Sequence, residues 1–95
     1  MTTLTFYVKS NTYVATYTSE GLTMIHMYRG VAGTVEVYIG LGAVEPAYVG
    51  GYDDKTTAGN KSFLIAAPAG ATVKIISSVP VRKAYYMYVG ENITV

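Results

Sequence analysis

The chain has 95 residues, 51% of them apolar and 14% charged, with a net charge of +1. That length accommodates one small domain spanning residues 1–95, which excludes catalysis in a cleft between domains, and so weak a field concentrates neither nucleic acid nor an anionic membrane. With no cysteine there is no disulfide, thiolate nucleophile or thiolate metal site, so stability comes from packing or from assembly with other chains.

Short β-branched and aromatic runs with period-two alternation, broken by Gly, Pro or Asn about every 8–12 residues, predict strands throughout and no helix. Leu4, Phe6 and Val8 alternate with Thr5 and Tyr7 up to Lys9-Ser10-Asn11, predicting a first strand over residues 3–9. A second, over residues 12–18, ends at Ser19-Glu20-Gly21. Leu22, Met24, His26 and Tyr28 then alternate with Thr23, Ile25, Met27 and Arg29, and apolar groups on both faces predict a strand covered on both sides. Gly30-Val31-Ala32-Gly33 predicts a hairpin into a strand with Val35, Val37 and Ile39 on one face and Thr34, Glu36 and Tyr38 on the other.

Gly40-Leu41-Gly42 suits a bulge and Pro46 lacks a ladder donor, so residues 43–49 are expected to form an edge or irregular segment. Residues 50–60, with Gly-Gly, Asp-Asp and Thr-Thr pairs, form the longest expected loop. Ala67-Pro68-Ala69-Gly70 predicts a second hairpin, between strands over residues 61–66 and 72–77. After Ser77-Ser78-Val79-Pro80, residues 81–89 place Tyr85, Met87 and Val89 on one face and Tyr86 and Tyr88 on the other, and a last short strand runs to Val95. Eight or nine antiparallel strands with short connections predict an all-β fold, a compact two-sheet sandwich of immunoglobulin-like or jelly-roll type or else a small barrel.

Catalytic chemistry finds little to work with. His26 is the single histidine, set between Ile25 and Met27 in mid-strand with no nucleophile-elbow motif, and it reads as a packed side chain. Five of the six carboxylates, all but Glu36, fall in expected turns, loops or the edge segment, where burial rarely raises a pKa. No enzyme is expected, no catalytic residue is assigned, and no metal or cofactor is implied. Asp53-Asp54 lacks the spacing of a calcium loop and reads as a solvated turn. Lys74, Arg82 and Lys83 form the nearest thing to a basic patch, yet acids nearly balance the bases overall, so no nucleic-acid partner is expected. Asn60-Lys61-Ser62 and Asn92-Ile93-Thr94 match glycosylation sequons by chance, since Met1-Thr2-Thr3-Leu4-Thr5-Phe6 leads to no expected export signal. No apolar run approaches the roughly 20 residues of a bilayer helix, so no membrane partner is expected.

Twelve Thr, ten Tyr, ten Gly and five Ser supply polarity without charge, and such a surface loses less on burial than a Lys/Glu surface. Tyrosine offers a rigid apolar face with one hydroxyl, suited to protein or sugar. Tyr48 and Tyr52 flank the long loop beside Gly50-Gly51, with Asp53 and Asp54 next along it, and the cluster Tyr85-Tyr86-Met87-Tyr88 places aromatics on both faces of its strand, so the face of Tyr86 and Tyr88 calls for a cover or a partner if the other forms the core. Tyr48, Tyr52, Asp53, Asp54, Tyr86 and Tyr88 are the candidate binding positions.

In size, freedom from cysteine and Thr/Tyr/Gly-rich strands such as Gly33-Thr34-Val35-Glu36-Val37-Tyr38-Ile39 and Ala67-Pro68-Ala69-Gly70-Ala71-Thr72-Val73, the chain resembles the small all-β virion proteins of tailed bacteriophages, the decoration or cement class above all. The resemblance implies a structural protein made in the host cytoplasm that binds the outer capsid surface, often as trimers, and braces the assembled shell. The implied partners are capsid protein or other virion subunits, together with copies of the chain itself. Within that picture the first strand, with Leu4, Phe6 and Tyr7, adds to a neighbour's sheet edge. The alternative is a Tyr-based carbohydrate- or receptor-binding module on a virion or cell surface.

Overall fold

The structure is a computed structural model that describes residues 2–41, 46–54 and 59–89, with only the backbone described at residues 50–54, 59 and 60. Nine strands lie among the described residues: β1 (Thr2–Thr3), β2 (Tyr7–Lys9), β3 (Thr12–Thr18), β4 (Leu22–Arg29), β5 (Gly33–Gly40), β6 (Ala47–Asp54), β7 (Gly59–Ala66), β8 (Thr72–Ser77) and β9 (Val81–Tyr88). They form two antiparallel sheets, one ordered β1-β9-β4-β7 and the other β2-β3-β8-β5-β6. The expected two-sheet β-sandwich is what the chain forms.

The pairings are nested. The strand β1 pairs with β9, β3 with β8, β4 with β7 and β5 with β6, a double ribbon closed at the β5–β6 hairpin. The ladders β4·β9 and β5·β8 roll that ribbon into two layers, which is jelly-roll order, with β2 as an extra edge strand. Alternation decides what lies between the layers. Ala15 and Tyr17 of β3, Val35 and Val37 of β5, and Val73 and Ile75 of β8 face Ile25 and Met27 of β4, Phe63 and Ile65 of β7, and Ala84 of β9. At about 25 cal/mol per Å² of apolar surface removed from water, this layer is the main source of stability.

Several expectations are corrected. Residues 3–9 do not form one strand. Leu4 is 4% exposed, Phe6 packs against the same core, and the Leu4 amide donates to the Ala84 carbonyl at 2.9 Å, so the chain crosses between layers here. Burying Leu4 and Phe6 outweighs continuing the ladder, and β1 ends in one sheet while β2 begins in the other. A two-residue turn at Ser10-Asn11, both with positive φ (50° and 63°), then returns β2 onto β3.

Neither expected hairpin forms. Strands β4 and β5, like β7 and β8, lie in different sheets, so Gly30–Gly33 and Ala67–Gly70 are arches across the sandwich. Turn residues specify a reversal but not its partner, and each flanking strand has one apolar face that is buried by folding over the core. Side chains fasten the arches: the buried Arg29 Nη1 donates to the Gly33 carbonyl at 3.1 Å, and the Ser19 Oγ links the β3–β4 arch to the Ala67 carbonyl at 3.0 Å.

The expected loop over residues 50–60 is also shortened. Strand β6 continues to Asp54, pairing Asp53 with Thr34 and Asp54 with Gly33, and β7 starts at Gly59. As expected of an edge segment, residues 47–49 begin the edge strand β6, and a register shift occurs between Val37 and Tyr38 opposite it. The parts of the edge segment and loop at residues 43–45 and 55–58, and the last expected strand, lie outside the described residues.

Candidate functional site

One face of β4 is buried, but the other is not covered: Leu22 and Tyr28 are exposed, and Met24 and His26 half-buried. The expectation of coverage on both sides is therefore corrected. The ladders set Met24 between Leu64 of β7 and Met87 of β9, and His26 between Ser62 and Tyr85. Leu64 is 53% exposed. The outer face of the four-stranded sheet is thus an apolar strip of Leu22, Met24, Tyr28, Leu64, Tyr85 and Met87, and the residues of β4, β7 and β9 on it include Lys83 but no carboxylate. Contiguous apolar surface of this kind marks an interaction site more often than a free surface.

His26 sits in the middle of this strip, its Nδ1 2.7 Å from the Ser62 Oγ. A serine hydroxyl on an imidazole is two members of a nucleophile–base arrangement, which also needs a group orienting the second ring nitrogen. The neighbours that the register gives His26 are Met24, Tyr28, Ser62 and Tyr85, none of them acidic. Among the described residues, no three His, Asp or Glu come together as a metal site.

The outer face of the five-stranded sheet differs. Tyr38 packs edge-on against Tyr48 with ring centroids 5.5 Å apart, and the Lys74 ammonium lies 5.0 Å over the Tyr38 ring. Crowding by its neighbours, then the Glu36 carboxylate, raises the Tyr38 pKa above its ordinary value. Charge from Lys74 and Glu36 interrupts this face, and Tyr38 and Tyr48 are engaged with each other, while Tyr7 is exposed on its edge strand β2.

The residues singled out in the sequence scatter over the molecule. Leu4 and Phe6 belong to the core, whereas Tyr7 is exposed on the edge strand β2. Tyr48 is exposed on the edge strand β6; the backbones of Tyr52, Asp53 and Asp54 extend the same strand, and their side chains lie outside the described residues. Tyr86 faces inward, its ring stacked on Tyr17 at 4.7 Å and 21°. Tyr88 lies over Gly21, whose φ is +130° and where an added Cβ would stand 2.8 Å from the Tyr88 Cε1. The aromatics of β9 therefore divide as the alternation requires, but the outward pair is Tyr85 and Met87, which sequence reasoning did not select.

Tyr17, Tyr86 and Tyr88 come together at one end of the sandwich. With Thr2, Thr18, Glu20 and Thr23 they line a cleft of about 90 Å³ between the β3–β4 arch and the end of β9. Burial raises the Tyr17 pKa above 10.0, partly opposed by the adjacent Thr23 hydroxyl. No protein-family model, curated protein or solved structure matches the chain.

Proposed function

We propose that the chain is a non-enzymatic structural protein that binds protein subunits through the apolar outer face of β4, β7 and β9, and that it acts as a decoration or cement protein on the outside of a virion capsid. The observation that carries this reading is the strip itself: six large apolar side chains side by side without a carboxylate among them, on a chain with only 14% charged residues. Desolvating such a face is cheap, and many modest contacts repeated over a lattice combine into tight attachment. Binding the assembled shell and not dispersed subunits then stabilises the shell by mass action, without chemistry. The jelly-roll order is compatible with this role, though the same fold also carries sugar-binding domains, so the surface and not the fold supports the reading.

The test is co-sedimentation of the purified chain with shells of the virus whose genome encodes it. The wild-type chain pellets with the shells, and a Met24→Lys/Leu64→Lys chain of unchanged circular dichroism stays in the supernatant; a double variant that pellets equally overturns the proposal. The tyrosine-lined cleft favours a second reading, a carbohydrate-binding module.

A further inference from the structure

We infer that the groove between the crossing segment at residues 3–6 and the first half of β9 takes a short extended segment of a partner protein, which adds as a strand to the open edge of β9 and sets a carboxylate against Lys83. This names a contact for the protein subunits proposed above and rests on the reading of the chain as a binder of such subunits.

The edge is open because β1 is short. Among the described residues β1 alone flanks this side of β9, and it pairs only Thr2 with Tyr86 and Thr3 with Tyr85. The last backbone bond on this side runs from the Leu4 N–H to the Ala84 carbonyl at 2.9 Å, after which the chain crosses to the other sheet. Strand β9 starts three residues earlier, at Val81, and among the described residues no backbone bond joins Val81, Arg82 or Lys83 to that side. An unpaired strand edge is a template on which an incoming strand gains main-chain hydrogen bonds.

The groove along this edge has a volume of about 280 Å³, roughly nine times the share of one water molecule and enough for a short length of extended chain. Phe6, Val81 and Tyr85 give it apolar surface, Thr3 and Thr5 give it hydroxyls, and Arg82 and Lys83 line it without any carboxylate. Both cations are exposed, and neither has an ion pair among the described residues. The Arg82 guanidinium lies over Gly30, where an added Cβ would stand 2.9 Å from Nη2, so Arg82 adds to the positive field and Lys83 is the cation left to meet a carboxylate directly. A net charge of +1 gathers no polyanion, so a single carboxylate on an otherwise uncharged segment matches the groove better than a nucleic acid does. Lys83 and Tyr85 also stand on the outer strip, so a segment in the groove is continuous with whatever covers that strip.

The experiment is an NMR titration of the full chain with the capped peptide acetyl-Thr-Val-Glu-Val-Thr-amide, with the same peptide carrying Gln for Glu, and with inorganic phosphate. The glutamate peptide produces saturable shifts at the amides of Val81, Arg82, Lys83 and Leu4, and binds about three- to fivefold more tightly than the glutamine peptide at low salt, an advantage that fades as salt is added. Lys83→Gln, an exposed change that retains the wild-type circular dichroism spectrum, leaves the shifts in place and removes the preference between the two peptides. The inference is overturned by the absence of saturable shifts with the glutamate peptide, by equal affinity for both peptides in the wild-type chain, by a preference that survives Lys83→Gln, or by phosphate moving the same amides at equal affinity. A chain that pellets with shells but ignores the peptide overturns this contact alone, and one that binds the peptide without pelleting overturns the shell reading alone.

Discussion

Replacing Ser19 by Ala removes one oxygen from the junction where two arches meet. The Ser19 Oγ lies 3.0 Å from the carbonyls of Ala67 and Gly21, which share its single proton, and it accepts the Gly21 N–H at 3.0 Å. Ser19 is 2% exposed, so water does not replace the lost contacts. The Gly21 carbonyl keeps the Thr23 hydroxyl, leaving the Ala67 carbonyl and the Gly21 N–H without partners. At about 1–3 kcal/mol for each orphaned buried group, and with Gly21 only half-buried, the substitution costs about 2–4 kcal/mol. For a domain of this length that lowers Tm by about 10–25 °C. The backbone bonds from Ser19 N to Ala71 O (2.8 Å) and from Gly70 N to Ser19 O (2.8 Å) survive, so the fold persists and urea titration reports the loss at an unchanged slope. Ser78→Ala is the control. It removes a single bond, from the Thr34 N–H at 2.8 Å, at an exposed site, and costs about 0.5–1.5 kcal/mol. A Ser19→Ala chain no less stable than Ser78→Ala would refute the cross-arch role of Ser19.

Gly21→Ala forces a side chain into a φ of +130° and against the Tyr88 ring, so urea denaturation registers a loss of about 1–3 kcal/mol and the Tyr88 ring resonances move; an unshifted ring contradicts that placement. Burial holds the Tyr17 phenol above its unfolded value of 10.0, so the unfolded chain loses this proton first and stability declines as the pH rises through and above 10. Tyr17→Phe lacks that component, and its urea midpoint falls less between pH 8 and pH 11 than the wild-type midpoint does; equal falls would argue against the burial of the phenol. Leu64→Lys exchanges an exposed apolar group for a charge, which leaves stability within about 0.5 kcal/mol while weakening association with partner subunits, as read by sedimentation velocity.

The strands were legible because their signal is local. The alternation in residues 12–18, 22–29 and 72–77 alone delimits β3, β4 and β8. Sheet membership was not legible, since Gly30–Gly33 and Ala67–Gly70 carry the same turn residues whether the chain returns to its own sheet or arches to the other. Leu4 and Phe6 show the same limit: their spacing suits a strand face, and only the three-dimensional position of the Ala84 carbonyl makes a crossing better. The outer strip was half legible. The apolar residues on both faces of β4 were read as cover on two sides, when one face is open, and the adjoining Leu64 and Met87 belong to strands whose neighbours no single sequence reveals. The Tyr17 cleft gave no sequence signal, because it joins residues some seventy positions apart, Tyr17 of β3 with Tyr86 and Tyr88 of β9.

Shell binding as proposed covers the strip of β4, β7 and β9 with protein neighbours. Methyl-labelled methionine reports on it directly, because Met24 and Met87 lie on the strip while Met27 is fully buried in the core. In the free chain a soluble paramagnetic agent should broaden Met24 and Met87 and spare Met27. In the shell-bound chain Met24 and Met87 should become as protected as Met27, whereas persistent broadening of both would contradict the account.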